Sequence, residues 1–170
     1  MPVAERRSEP LARPRASVER VSPTELVWKH TLRAKPSVVF DAYTKPGLVK
    51  RWWAPKSRGL EMVQCEADVS VGGAYVYALA RGGKVVVRFT GRYLEIERPN
   101  RVVYTAAMAP FSDEIVATVT FLERDGVTHL VSREVYPSKK VLDEASASGM
   151  ESGALETLDL LAELVMTLKG

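Results

Sequence analysis

The sequence predicts an α+β fold in which a curved antiparallel sheet of about seven strands wraps one long C-terminal helix, with two short helices after the first strand. Three observations lead there. Short apolar segments recur between tight turns from Leu60 to Val135. One long helical repeat, Leu155, Leu158, Leu161, Ala162, Val165 and Leu168, closes the chain. The adjacent pair Trp52-Trp53 cannot bury both rings in one direction, so one is left to meet a cavity, an interface or solvent.

The elements follow in order. Residues 1 to about 23 are rich in Pro, Arg, Ser and Glu without apolar periodicity and read as a disordered, basic tail, so that residues 24–170 form the single domain. From Thr24, the alternation of Leu26, Trp28, His30 and Leu32 with Glu25, Val27, Lys29 and Thr31 reads as a strand. Pro36-Ser37 opens a short helix through Val38, Val39, Phe40 and Tyr43, with Pro in the first turn where its missing N–H costs nothing. Lys45-Pro46-Gly47 breaks it, and a second short helix carries Leu48, Val49, Trp52 and Trp53 up to Pro55. Strands are expected over Leu60–Asp68, Ala74–Ala80, Val85–Ile96, Arg101–Met108, Ile115–Leu122 and Thr128–Val135. Gly82-Gly83 and Asp125-Gly126 supply hairpin turns. After Pro137 the pattern turns helical, loosely at first, then as one long helix starting near Ser148-Gly149. An antiparallel sheet with one face to cover, and one helix long enough to cover it, makes a helix-grip arrangement.

Size and charge bound the function. A chain of 170 residues fits one well-filled core. The formal charge is +3, of which the five arginines and three glutamates of residues 1–23 supply +2, leaving the body near +1. With no basic face and no aromatic-basic motif, a nucleic-acid partner is not expected. No run is long enough to span a membrane, no apolar h-region opens the chain, and the glutamates of the first residues argue against a transit peptide; the reading is cytoplasmic. Cys65 is alone, so no internal disulfide forms. No metal-ligand spacing and no phosphate-cradling loop between strand and helix is present, so no cofactor is expected.

The run Ala34-Lys35-Pro36-Ser37-Val38-Val39-Phe40, then Tyr43-Thr44-Lys45-Pro46-Gly47-Leu48 and Trp52-Trp53, carries a resemblance. It is similar to the opening of stand-alone domains resembling the C-terminal domain of the activator of the ninety-kilodalton heat-shock-protein ATPase (AHSA-like), in the START-like, polyketide-cyclase-like (SRPBCC) superfamily. Val71-Gly72-Gly73, Gly91 to Ile96, Arg101 to Thr105 and Thr128-His129-Leu130 continue the match in order, over about Thr24 to Leu168. The resemblance implies a helix-grip fold and a cavity for a hydrophobic or aromatic small molecule, lipid-like or polycyclic. It also implies two alternatives: a polyketide cyclase- or dehydratase-like enzyme in the same cavity, and a protein-interaction module with a chaperone partner and a stress-response role. Members commonly carry Gly-Trp where the final helix begins, whereas this chain has Gly153-Ala154, which leaves room for a larger cavity. A homodimer is compatible with the sequence.

Strand alternation assigns an inner face holding Tyr75, Tyr77 and Leu79; Val87, Phe89 and Tyr93; Val102, Tyr104 and Met108; and Ala117, Val119 and Phe121. Leu155, Leu158 and Leu161 of the last helix face them. Most of these side chains read as core filling, and the inward Tyr75, Tyr77 and Tyr104 are the first-choice pocket lining because a buried phenol needs a hydrogen-bond partner. Trp52, Trp53, Tyr75, Tyr77, Phe89, Tyr93, Tyr104, Met108, Leu155 and Leu158 are therefore the candidate ligand contacts. Catalytic machinery is not evident. His30 shares the register of Trp28 and Leu32 without a partner at a recognisable spacing, and Glu134 lies in water at the sheet edge or, if it faces inward beside Arg88 or a tyrosine, is the best acid/base candidate.

Overall fold

Alternating side chains put an apolar face on most of the strands, and the last helix covers one side of the sheet that results. The computed structural model describes residues 14–109 and 113–168. Its strands are β1 (Ser17–Ser22), β2 (Glu25–Leu32), β3 (Glu61–Ala67), β4 (Ala74–Arg81), β5 (Lys84–Glu97), β6 (Arg101–Ala109), β7 (Glu114–Arg124) and β8 (Val127–Val135). They form one antiparallel sheet in the order β1-β2-β8-β7-β6-β5-β4-β3. Between β2 and β3 lie α1 (Pro36–Thr44), α2 (Pro46–Val49) and a 3-10 turn over Lys56–Arg58. After β8 come α3 (Lys139–Ala147) and α4 (Met150–Thr167). The α+β class and the helix-grip arrangement are as the sequence predicts.

Beyond shifts of a residue or two at strand ends, two differences are larger. The sheet has one strand more than expected, because Ser17–Ser22, read as tail, pairs along β2 from Ser17↔Lys29 to Ser22↔Glu25. The free edge of β2 offers backbone donors and acceptors to any extended segment beside it, and Val18 gains apolar contact with the core. The rest of the expected tail, residues 1–13, lies outside the described residues. The second short helix stops at Val49, so Trp52 and Trp53 sit in the turns that follow it.

The turns have local causes. Gly82 and Gly83 take φ of 58° and 80° between β4 and β5, the left-handed conformation of a two-residue hairpin. Gly91, in the middle of β5, is needed for space: a Cβ there would lie 1.8 Å from the Thr105 carbonyl oxygen and 2.6 Å from the Tyr75 ring. Pro36 starts α1, the Ser138 hydroxyl accepts from the Val141 amide to cap α3, and Gly149 (φ 79°) joins α3 to α4.

The core lies between the inner sheet face, α1 and α4. Phe40 of α1 meets Phe121 of β7 edge to face at 5.7 Å, and Leu32, Val102, Val119, Leu130 and Leu161 are fully buried around them. Helix α4 packs mainly on β1, β2, α1 and α3. It thus clamps one side of the sheet and stands off from the concave face of β4, β5 and β6. No helix among the described residues is long and apolar enough to cross a membrane.

Candidate ligand-binding site

The gap left by α4 is a cavity of about 390 Å³, joined to a smaller one of about 160 Å³. Both have Trp53, Phe89, Tyr104, Met108, Glu134 and Met150 in their walls, so they are two lobes of one space. The larger lobe runs under the start of α4, where Gly153, Ala154 and Leu158 form its roof. The smaller lobe extends beneath α3, against Val141 and Ala145. Small residues at 153 and 154 leave the roof high, and a Cβ at Gly153 would come within 3.1 Å of the Arg58 guanidinium.

The tryptophans divide as their adjacency requires. Trp52 is buried and donates its indole N–H to the Ala42 carbonyl at 2.8 Å, while one edge of its ring reaches the larger lobe. Trp53 is half-buried and lines both lobes, edge-on to Tyr77 at 5.2 Å and to Phe89 at 5.8 Å. Six of the ten candidate contacts line the space: Trp52, Trp53, Phe89, Tyr104, Met108 and Leu158.

The other four do not. Tyr75 and Tyr77 face inward as the register predicts, but Trp53 covers Tyr77, and the Tyr75 hydroxyl is turned away to donate to the Thr105 carbonyl at 2.6 Å. Tyr93 stacks behind Tyr75 at 5.7 Å, and Leu155 packs on the flank of the core. His30 is also excluded. It is buried between β2 and α4, with Nε2 2.9 Å from Asp159 Oδ1 but outside hydrogen-bond alignment. Neither ring nitrogen has another partner among the described residues. Burial holds the imidazole pKa below its ordinary value, and the Asp159 carboxylate counteracts part of that.

Glu134 corrects the expectation of a solvated sheet edge. β8 lies inside the sheet between β2 and β7, and Glu134 pairs with Leu26 on one side and Ala117 on the other. Its side chain enters the cavity wall, where its accessible part faces both lobes. Neither Arg88 nor a tyrosine is the partner: Arg88 donates to Gln64 at 2.6 Å, and the Trp28 indole N–H donates to Glu134 Oε1. The other carboxylate oxygen has no hydrogen-bond partner among the described residues. Burial pushes the carboxyl up to about 7, with the Trp28 bond opposing part of the rise.

A second polar point lies nearby. The Tyr43 and Tyr104 hydroxyls are 2.9 Å apart, and both phenols are held well above their ordinary pKa by burial. They donate hydrogen bonds and do not ionise near neutral pH. Trp28, Tyr43, Ser132 and the face of α3 also line the space and are not among the residues the sequence assigns to it, although it does place a helical segment after Pro137. The helical spacing of Val141, Leu142 and Ala145 is the signal for the apolar face of that segment.

The rim is charged differently at the two lobes. Exposed Arg58 and Arg81 border the larger lobe. Arg58 Nη2 donates to the Gly149 carbonyl at 2.7 Å and to Ser152 Oγ at 2.6 Å, and Ser57 binds Glu156 through both its amide and its hydroxyl. These contacts fasten the 3-10 turn to the start of α4. Exposed Asp113 and Glu144 border the smaller lobe. Among the described residues no group of three or more His, Cys, Asp and Glu side chains is placed to hold a metal ion.

A family model described as "Activator of Hsp90 ATPase homolog 1-like protein" matches residues 33–166. Among solved structures, a Rhodobacter sphaeroides protein is 23% identical with a TM-score of 0.84, over 91% of this chain and 99% of that one. A Chromobacterium violaceum protein is 25% identical with a TM-score of 0.71, over 84% of this chain and 98% of that one. CalU16 from Micromonospora echinospora is 18% identical with a TM-score of 0.58, over 91% and 86%. No curated protein matches the chain.

Proposed function

The chain belongs to the family of Activator of Hsp90 ATPase homolog 1-like proteins, and on that premise we propose that it binds a hydrophobic or aromatic small molecule between the sheet and α4. The observation that carries this reading is the two-lobed cavity, walled by Trp53, Phe89, Met108 and Leu158 and interrupted by few polar groups. A space of a few hundred Å³ with mostly apolar walls and a few convergent polar groups suits a small ligand. Filling it with an apolar body removes wet hydrocarbon surface on both sides, at roughly 25 cal/mol per Å². A cytoplasmic location accords with this reading.

A cyclase- or dehydratase-like reaction in the same space is the second reading, favoured by Glu134. The tyrosine pair orients a ligand without ionising, and Glu134 is the described wall group whose carboxyl is raised by burial into the neutral range. One such group supports orientation better than catalysis, since proton transfer along a chain needs both an acid and a base.

The test is native mass spectrometry of freshly purified protein for a co-purifying small molecule, followed by a thermal-shift panel of lipid-like and polycyclic aromatic compounds. A ligand at about a hundred times its Kd adds about 2.7 kcal/mol, which raises Tm by several degrees. A panel without any shift, and no retained molecule, sinks the reading.

A further inference from the structure

We propose that the smaller lobe receives a basic nitrogen, so that the ligand is an organic cation: an apolar body in the larger lobe and an ammonium or protonated heterocycle beside Glu134. This rests on the binding reading above and narrows it to a class of ligand. Three independent features converge.

The first is the open valence of Glu134. An inward carboxylate with one donor and one free oxygen is costly in an apolar wall, and a charged N–H donor from a ligand satisfies it. The second is the wall around it. Trp53, Phe89, Tyr104 and Tyr136 surround the smaller lobe, and aromatic faces attract a desolvated cation. The third is the charge pattern. Asp113, Glu134 and Glu144 line this lobe, and no Lys, Arg or His among the described residues does so. The two arginines of the rim stand at the other lobe. An anionic head would thus meet Glu134 without compensation, whereas a cation is matched by the three carboxylates of this lobe.

The test compares three probes of one shape by isothermal titration calorimetry at about pH 8, where Glu134 is ionised: naphthylmethylamine, naphthylmethanol and naphthoate. The amine is expected to bind at least about tenfold tighter than the alcohol, the scale of a hydrogen bond to a charged group, with naphthoate weakest. Glu134→Gln should reduce the amine preference to less than about threefold while alcohol binding persists. Glu144→Gln, at the rim, should lower it less. Equal binding of amine and alcohol to the unaltered protein, or naphthoate as the tightest probe, overturns the inference and leaves apolar binding standing. An amine preference that survives in a folded Glu134→Gln also overturns it. No binding of any probe overturns both.

Discussion

Trp28 and Glu134 are diagonal neighbours on β2 and β8, and the indole N–H of the first donates to a carboxylate oxygen of the second. One neutral donor is too little to hold a carboxylate fully ionised in this wall, which is why burial pushes the acid up to about 7. The pair therefore links the stability of the fold to pH.

In the folded chain Glu134 keeps its proton up to about pH 7, against an ordinary value of 4.5. Its contribution to stability is complete below the ordinary value and is lost as pH rises to about 7, a loss of roughly 3 kcal/mol at most. Glu134→Gln keeps an acceptor for Trp28 and cannot ionise. Urea unfolding should find it more stable than the parent at pH about 8 by up to ~3 kcal/mol, with the difference close to zero at pH about 4.

His30 acts in the opposite direction over an overlapping window. Its folded pKa lies below the ordinary 6.5, so stability is present above that value and is lost as pH falls through it toward the folded pKa. His30→Leu removes a ring that has no well-aligned partner, and should lose less stability than the parent between pH about 7 and 5. A steeper loss in the variant would contradict this account of the ring.

The two adjacent indoles should separate stability from binding. Trp52→Leu removes a buried ring and its bond to Ala42, and should cost about 3 kcal/mol in unfolding measurements. Trp53→Leu should cost less stability and weaken the binding of an apolar probe about tenfold. Matching profiles for the two variants would mean that Trp53 is simply core.

Ala154→Trp places an indole under the roof of the larger lobe. It should abolish or sharply weaken binding of naphthalene-sized probes in calorimetry while leaving Tm unchanged or raised, because the ring fills existing space. A large fall in Tm would show that the space is too narrow for the ring.

Gly91→Ala should destabilise by about 2–4 kcal/mol, since the methyl group meets the Thr105 carbonyl and the Tyr75 phenol and must push β5 from β6 or displace the ring. A Tm within a degree or two of the parent would contradict the close approach.

Much of this architecture was legible from alternation and punctuation alone. The strands from β2 to β8, the helix that starts after Gly149, and the splitting of Trp52 from Trp53 follow from local patterns that repeat in three dimensions. Wall membership did not follow, because it depends on what else reaches the same spot. Tyr75 and Tyr77 have the inward register and still miss the cavity, since Trp53 arrives from another part of the chain and covers Tyr77. Glu134 shares its register with Leu130 and Ser132, yet placing it inside the sheet requires knowing that β2 pairs with β8. β1 escaped notice because it has few apolar residues and exists mainly by borrowing the edge of its neighbour.

Asp159 Oδ1 accepts from the Ala16 amide at 3.0 Å and lies 2.9 Å from His30 Nε2. A single oxygen thereby ties the residue that leads into the first strand to the covering helix, beside the buried ring of the second strand. Release at that point frees the seam and the cover at once, so amide hydrogen exchange in β1 and in the middle of α4 should quicken together in Asp159→Ala, as doors hung on a common hinge swing together.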